Sequence, residues 1–231
     1  MSNLILGNGP SLVTIDWDLL ANTRLNVIGI NRSYLEYPAH DYLFVQDPII
    51  VLELLDGGYS DDDIRDMNIH TTNYFSRRMQ IDKRKKRMTD TEFKLLANYL
   101  RNRVIHTIRK QAFPAHSPFT VPHVISYFVH NDIRQNDKDI VFYLSGLELT
   151  HSSSDNHFWQ NKYEELSRLT GTGGSNKRQL LRQYSVFRRL KLKQQQHRFR
   201  LVSVTPKSKL NKLYPYKPTT EILGKYIKRK N

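Results

Sequence analysis

Near the start of the chain a short apolar run, Leu4-Ile5-Leu6, breaks on Gly7-Asn8-Gly9-Pro10-Ser11. Apolar residues then recur at helical spacing from Ser11 to Leu20. A buried strand that turns on glycine into a helix is the entry unit of open α/β sheets. Glycine lets the backbone turn sharply and approach a ligand, and proline suits a first helical position. The N–H groups that open a helix can hold a phosphate. Gly7, Asn8, Gly9, Pro10 and Ser11 are therefore candidate binders of a phosphate-bearing ligand. Neither common phosphate fingerprint applies: Leu12 stands where G-x-G-x-x-G needs its third glycine, and the Walker lysine is absent.

Further strands follow at Asn26–Ile30 and Tyr42–Val45, with a helix-length segment between each pair. Ile140–Leu144 and Phe199–Val204 are strands of the same kind. Continuous apolar strands separated by helices predict an α/β protein with a Rossmann-like, mostly parallel sheet covered on both faces. Helices are expected over Val121–His130, Phe158–Leu169 and Lys177–Leu192. In the middle, Asp61-Asp62-Asp63 reads as a helix start or a solvated turn, and the basic run Arg77–Arg87 as a mobile loop. Thr89–Lys110 has helical periodicity, and Thr89 with Glu92 forms a capping box. Residues 75–115 thus read as a basic helical insertion over the sheet edge. The main domain is expected over 1–213, with 214–231 as a basic tail.

The 231 residues contain no cysteine, which excludes a disulfide scaffold, a thiolate metal site and a cysteine nucleophile. No apolar run reaches the roughly 20 residues needed to cross a bilayer. No signal peptide is read at the N-terminus, and a cytoplasmic location is expected, in a phage-infected bacterial host if the chain is viral. Lys and Arg total 36 against 22 Asp and Glu, a net charge of +14. Such an excess favours a polyanionic partner.

Ligands of open α/β sheets bind outside the carboxyl ends of the strands. The second strand ends in Gly29-Ile30-Asn31-Arg32, so Asn31 and Arg32 are candidate ligand contacts. The third ends in Gln46-Asp47-Pro48. A later strand ends in Ser145-Gly146, where close approach of a ligand is again allowed. Asn31 and Asp47 would also serve well as helix caps. Histidine is the usual general base near neutral pH, and His151 and His157 follow on a polar loop with Asp155. No metal site is expected.

Taken together, these motifs resemble the glycosyltransferase family 42 sialyltransferases and the related motility-accessory transferases. The residues that carry the resemblance are Gly7-Asn8-Gly9-Pro10-Ser11-Leu12, Gly29-Ile30-Asn31, Asp47-Pro48, Tyr143-Leu144-Ser145-Gly146-Leu147-Glu148 and Pro206-Lys207-Ser208-Lys209-Leu210. Their order holds across most of residues 1–213. The resemblance implies a variant GT-A type fold and a nucleotide-sugar co-substrate, CMP- or UDP-linked, with no metal or other cofactor. It implies that Asn8 and Asn31 contact the nucleotide, with Gly9, Pro10 and Ser11 shaping the loop. Two departures bear on the site. The family's T-S-G segment is replaced by His116-Ser117-Pro118-Phe119-Thr120, and the family's basic histidine is missing from Gly173-Gly174-Ser175-Asn176-Lys177. The candidate general bases are therefore His151, His157, Asp47 and His116.

The acceptor is read from charge. Between Glu165 and Glu221 there is no acidic residue. In that stretch Arg178, Arg182, Arg189 and Lys193 fall at helical spacing and would share a face able to neutralise duplex phosphates. Arg84 and Lys85 lie in the other basic run. Double-stranded DNA is the expected partner, and hydroxymethylated bases of bacteriophage DNA the expected acceptors, reached by base flipping or in the major groove. Two alternatives stand beside this: transfer to lipopolysaccharide or another surface glycan, and a nucleic-acid-binding protein without chemistry.

Overall fold

A computed structural model of the chain describes residues 2–115, 119–132, 139–149 and 177–228. Seven strands form one sheet in the order β5-β4-β3-β2-β1-β6-β7, and every pairing is parallel. The strands are β1 (Ser2–Leu6), β2 (Asn26–Ile30), β3 (Tyr42–Phe44), β4 (Ile69–Thr71), β5 (Ile105–Thr107), β6 (Ile140–Ser145) and β7 (Phe199–Ser203). Helices α1 (Trp17–Ala21), α2 (Pro48–Asp56), α3 (Asp61–Asp66), α4 (Asn73–Arg84) and α5 (Asp90–Arg101) precede β5. Helices α6 (Thr120–Asp132), α7 (Lys177–His197) and α8 (Thr219–Lys225) follow it.

The sheet is covered on both faces, which is why its central strands read as nearly unbroken apolar runs. Ile5, Ile28, Phe44 and Phe142 bury against Val124, Ile125 and Phe128 of α6 and Phe187 of α7. On the opposite face Leu4, Leu6 and Val27 bury against Leu12, Leu20 and Leu223. Leu43, Val45 and Ile69 bury there against α2 to α5. The chain winds outward from β1 to β5, then returns to the other side of β1 for β6 and β7. The winding direction therefore reverses between β1 and β6, a topological switch point. Leu6 lies level with Gly29 on one side and Ser145 on the other, so three loops emerge together.

Several expectations are revised. The helix expected from Ser11 to Leu20 is broken: Pro10–Thr14 is a 3₁₀ turn, and α1 begins after Asp16, whose carboxylate accepts the Leu19 N–H at 2.8 Å. The basic run is not a loop as far as Arg84. It forms most of α4, because Phe75 and Met79 anchor one side in the core. Asp61-Asp62-Asp63 opens α3 with Ser60 as cap, and the Thr89–Glu92 capping box is formed. The helical region expected over 75–115 holds α4 and α5, but the helix expected over Thr89–Lys110 stops at Arg101 and Ile105–Thr107 is strand β5, so the two helices are the crossover between β4 and β5, which widen the sheet. Residues 214–228 of the expected basic tail pack on the domain. Tyr214 is buried and donates to the Phe187 carbonyl at 2.5 Å, Ile222 and Leu223 of α8 enter the core, and Tyr226 bonds Ser2. The helix expected over Phe158–Leu169 lies outside the described residues.

Candidate functional site

At the switch point the loops after β1 and β6 lie against each other. Gly7 N–H donates to the Ser145 carbonyl at 2.8 Å, and Gly9 N–H to the Gly146 carbonyl at 2.7 Å. A Cβ on Gly7 would sit 2.4 Å from the Gly146 carbonyl oxygen. On Gly9 it would sit 1.4 Å from a Glu148 carboxylate oxygen. Both glycines are thus required by the approach of chain to chain. Gly146 itself has φ +65°, where a side chain would be strained.

Ser11 N–H, at the start of the 3₁₀ turn, donates to Glu148 Oε1 at 2.7 Å. The amide expected to meet a phosphate therefore meets a carboxylate of the chain itself, and a phosphate placed there would be repelled. Glu148 is pinned from behind by the turn after β7. Ser208 Oγ donates to the Leu147 carbonyl at 2.6 Å, and Lys209 N–H to the Glu148 carbonyl at 3.1 Å. What the first loop offers instead is Asn8 Oδ1 and Ser11 Oγ. Both are buried and have no hydrogen-bond partner among the described residues.

Beside this loop, Asn31 ends β2 in the left-handed region, φ +52°. Its Oδ1 accepts the Gln46 N–H at 3.4 Å, which ties the β2 and β3 loops together. Gln46 is buried, and neither atom of its side-chain amide has a partner among the described residues. Glu148 Oε2 shares that condition. Five unpartnered buried polar atoms, on Asn8, Ser11, Gln46 and Glu148, thus lie along the carboxyl edge from β6 to β3. Buried polar groups are ordinarily satisfied, and such a cluster points to a missing partner.

Asp47 caps α2, its carboxylate accepting the Ile49 N–H at 3.4 Å. Burial pushes its pKa up, and the nearby Arg78 guanidinium opposes that shift. Arg78 is oriented by Asp82 of the same helix, Nε to Oδ2 at 2.8 Å. Arg32, a candidate ligand contact, is engaged by the protein itself. It is buried and donates to both carboxylate oxygens of Glu53 on α2, at 2.8 and 2.5 Å. Its job is to hold the β2 loop to α2.

The edge therefore brings together Gly7, Asn8, Gly9, Pro10, Ser11, Asn31, Asp47, Ser145 and Gly146. His116, His151 and His157 lie outside the described residues. Among the described residues no three His, Asp or Glu are grouped to hold a metal ion. Sequence reasoning quoted Glu148 and Gln46 only as motif neighbours. Their signal was position: Gln46 stands two residues past the end of β3, and Glu148 three past the end of β6, where it meets the first loop.

Of the basic residues, Arg182 and Arg189 are exposed on α7, with Lys193 half-buried on the same side and bonded to Gln196 Oε1 at 3.0 Å. Arg189 and Lys193 also rim an apolar groove of about 280 Å3 floored by Phe113 and Leu190. Arg178 belongs to the first turn of α7. Arg84 and Lys85 are exposed at the end of α4, on the opposite face of the sheet. The two basic runs therefore do not form one surface. No helix among the described residues is long and apolar enough to cross a membrane. Compared with protein-family models, curated proteins and solved structures, the chain matches none of them.

Proposed function

We propose that this protein is a nucleotide-sugar-dependent glycosyltransferase whose donor lies at the carboxyl edge between β6 and β3. The observation that carries this is the cluster of unpartnered buried polar atoms on Asn8, Ser11, Gln46 and Glu148 at the switch point. Amide and hydroxyl groups in a crevice of this kind suit the base and ribose of a nucleotide better than its phosphates, since Glu148 occupies the helix-opening amide. The acceptor hydroxyl attacks the anomeric carbon, a new C–O bond forms, and the bond from that carbon to the nucleotide phosphate breaks. The nucleotide leaves with the electron pair. Asp47, raised by burial, takes the hydroxyl proton. The acceptor is a polyanion, and the charge of +14 favours hydroxymethylated bases in DNA.

The test is to incubate the protein with hydroxymethylcytosine DNA and a panel of CMP- and UDP-sugars, then weigh the digested nucleosides. A glycosylated nucleoside supports the proposal, and Asp47→Asn should then lower turnover roughly 10²- to 10⁴-fold. Salt-sensitive DNA binding without product, across the whole panel, would favour a binder without chemistry.

A second reading rests on α7. Leu181 and Leu192 are 63% and 70% exposed on its outer line, flanked by Arg182, Arg188 and Arg189. An apolar line edged by cations suits an anionic lipid surface, which favours a membrane-borne glycan as acceptor. Product on lipopolysaccharide and none on DNA would select it.

A further inference from the structure

Strands β4 and β5 carry the same tripeptide, Ile69-His70-Thr71 and Ile105-His106-Thr107, paired residue for residue. Identical registers put His70 and His106 side by side on one face of the sheet. Their rings stack, with centroids 5.1 Å apart and planes 28° from parallel. The stack continues inward, since Phe44 on β3 lies 5.2 Å from His70 at 23°. It ends outward on His106, which is exposed on the last strand of the sheet. Tyr42 and Tyr127 flank His70, each with its centroid 5.4 Å away.

The two tyrosines also wall a cavity of about 610 Å3 below this shelf, at the amino ends of β1, β2 and β3. Arg24, Asn131 and Lys228 are among the residues that line it. Asp41 is the one carboxylate along its described lining, and its Oδ2 already accepts the Val27 N–H at 2.6 Å. Around β5 the charge is one-sided. Residues 93–131 contain no Asp or Glu, while Arg101, Arg103, Arg109 and Lys110 are exposed on either side of the strand.

We propose that the His106–His70 shelf and the cavity beside it bind an unpaired segment of nucleic acid, with bases stacked on His106 and along the tyrosines. Phosphates would run past the arginines that bracket β5 and reach Arg24 and Lys228. A flat ring with a free outer face, continuing a stack and bordered by cations, is what a sequence-tolerant single-strand site requires. A base inside a duplex has both faces covered by its neighbours, so along a strand it is unpaired bases that can add to this stack. The two sites differ in place: the proposed donor site lies at the carboxyl ends of β6 to β3, whereas the cavity opens at the amino ends of the strands and His106 stands on β5, two strand spacings, roughly 10 Å, beyond β3. The shelf acts as an anchor for the polynucleotide, away from the chemistry.

The experiment is fluorescence anisotropy of a short labelled oligothymidine with the full chain at low salt, in the absence of any nucleotide sugar. It is repeated with 2-aminopurine placed within the strand. Single strand should bind better than duplex of equal length, and the 2-aminopurine emission should be quenched. His106→Ala should weaken binding roughly five- to hundredfold and abolish the quenching. His106→Phe should retain both, since it keeps the ring and removes any charge. Unchanged binding by His106→Ala would overturn the proposal, as would a preference for duplex that Arg189→Glu on α7 abolishes. Because no sugar donor is present, a failed transfer assay leaves this result standing, and a failed binding assay leaves the transfer assay standing.

Discussion

The two ends of this sheet treat their polar groups in opposite ways. At the carboxyl edge, glycine loops are pressed together by backbone hydrogen bonds, and the side chains around them are buried with polar atoms unpaired. At the β4–β5 edge, two histidine rings pack on one another and His70 is satisfied by Asn68 at 3.0 Å, while Thr71 Oγ1 is the buried atom left without a partner among the described residues there. Burial without a partner costs free energy, and a fold tolerates it where a ligand supplies the partner. Ring stacking costs nothing of that kind and leaves a face open for one more ring. The first edge therefore suits a small polar ligand enclosed by loops, and the second an extended one laid across the surface.

The largest effect expected is structural, and it separates anchoring cations from binding ones at the carboxyl edge. Arg32→Ala leaves Glu53 buried and unpaired and should cost roughly 3–5 kcal/mol in urea unfolding. Replacing both residues with methionine should recover most of that loss. A stable Arg32→Ala protein that no longer binds nucleotide would instead return Arg32 to the ligand site.

Next comes a pH effect at the other edge. Burial and the neighbouring His106 push His70 down to about 4 from 6.5. A histidine whose folded pKa is depressed stabilises the fold fully above 6.5 and loses that contribution as pH falls to about 4. The loss is up to roughly 3 kcal/mol, and His70→Phe should flatten the stability profile across that window. An unchanged profile would mean that His70 is not enclosed as described.

Smaller again, Gly7→Ala drives a Cβ into the Gly146 backbone and should cost roughly 1–3 kcal/mol by overpacking. Gly9→Ala should cost a similar amount: the Glu148 side chain can swing away at the expense of its bond to Ser11, but the Gly146 carbonyl oxygen stays 2.7 Å from the new Cβ. The smallest effect is on Asp47. Its folded pKa is raised, so its charged form opposes folding above that pKa, and the penalty disappears below the ordinary range near 3.8. Asp47→Asn should slightly stabilise the protein at neutral pH, and the gain should vanish in acid. A loss of stability at neutral pH would place the Arg78 attraction above the burial cost.

Much of this fold was legible because long apolar runs declare themselves. β1, β2, β3 and β6 are nearly continuous and doubly covered, β7 keeps Phe199 and Leu201 buried around an exposed Arg200, and the Thr89–Glu92 box marks the start of α5. β4 and β5 were not legible, since Ile-His-Thr is too short for any period and its middle residue is polar. α4 looked like a loop because only Phe75, Met79 and Asp82 of its twelve residues are buried, and charge swamps so thin a stripe. In the site, residue types near strand ends were readable, but their partners were not. Arg32 at a strand end looks the same in sequence whether it meets a ligand or Glu53, twenty-one residues further on. The glycines likewise announce a close approach without saying to what; here it is Gly146 and Glu148. Of the four candidate bases only Asp47 lies within the described residues.

The proposed function requires a nucleotide at the carboxyl edge between β6 and β3. Isothermal titration of CMP and UMP into the protein, and into its Asn8→Ala, Gln46→Ala and His106→Ala variants, tests it most directly. The account predicts binding that Asn8→Ala and Gln46→Ala each weaken by tenfold or more, on the order of 1.4 kcal/mol, and that His106→Ala leaves unchanged. Neither nucleotide binding, or binding lost with His106→Ala and indifferent to the other two, would contradict it.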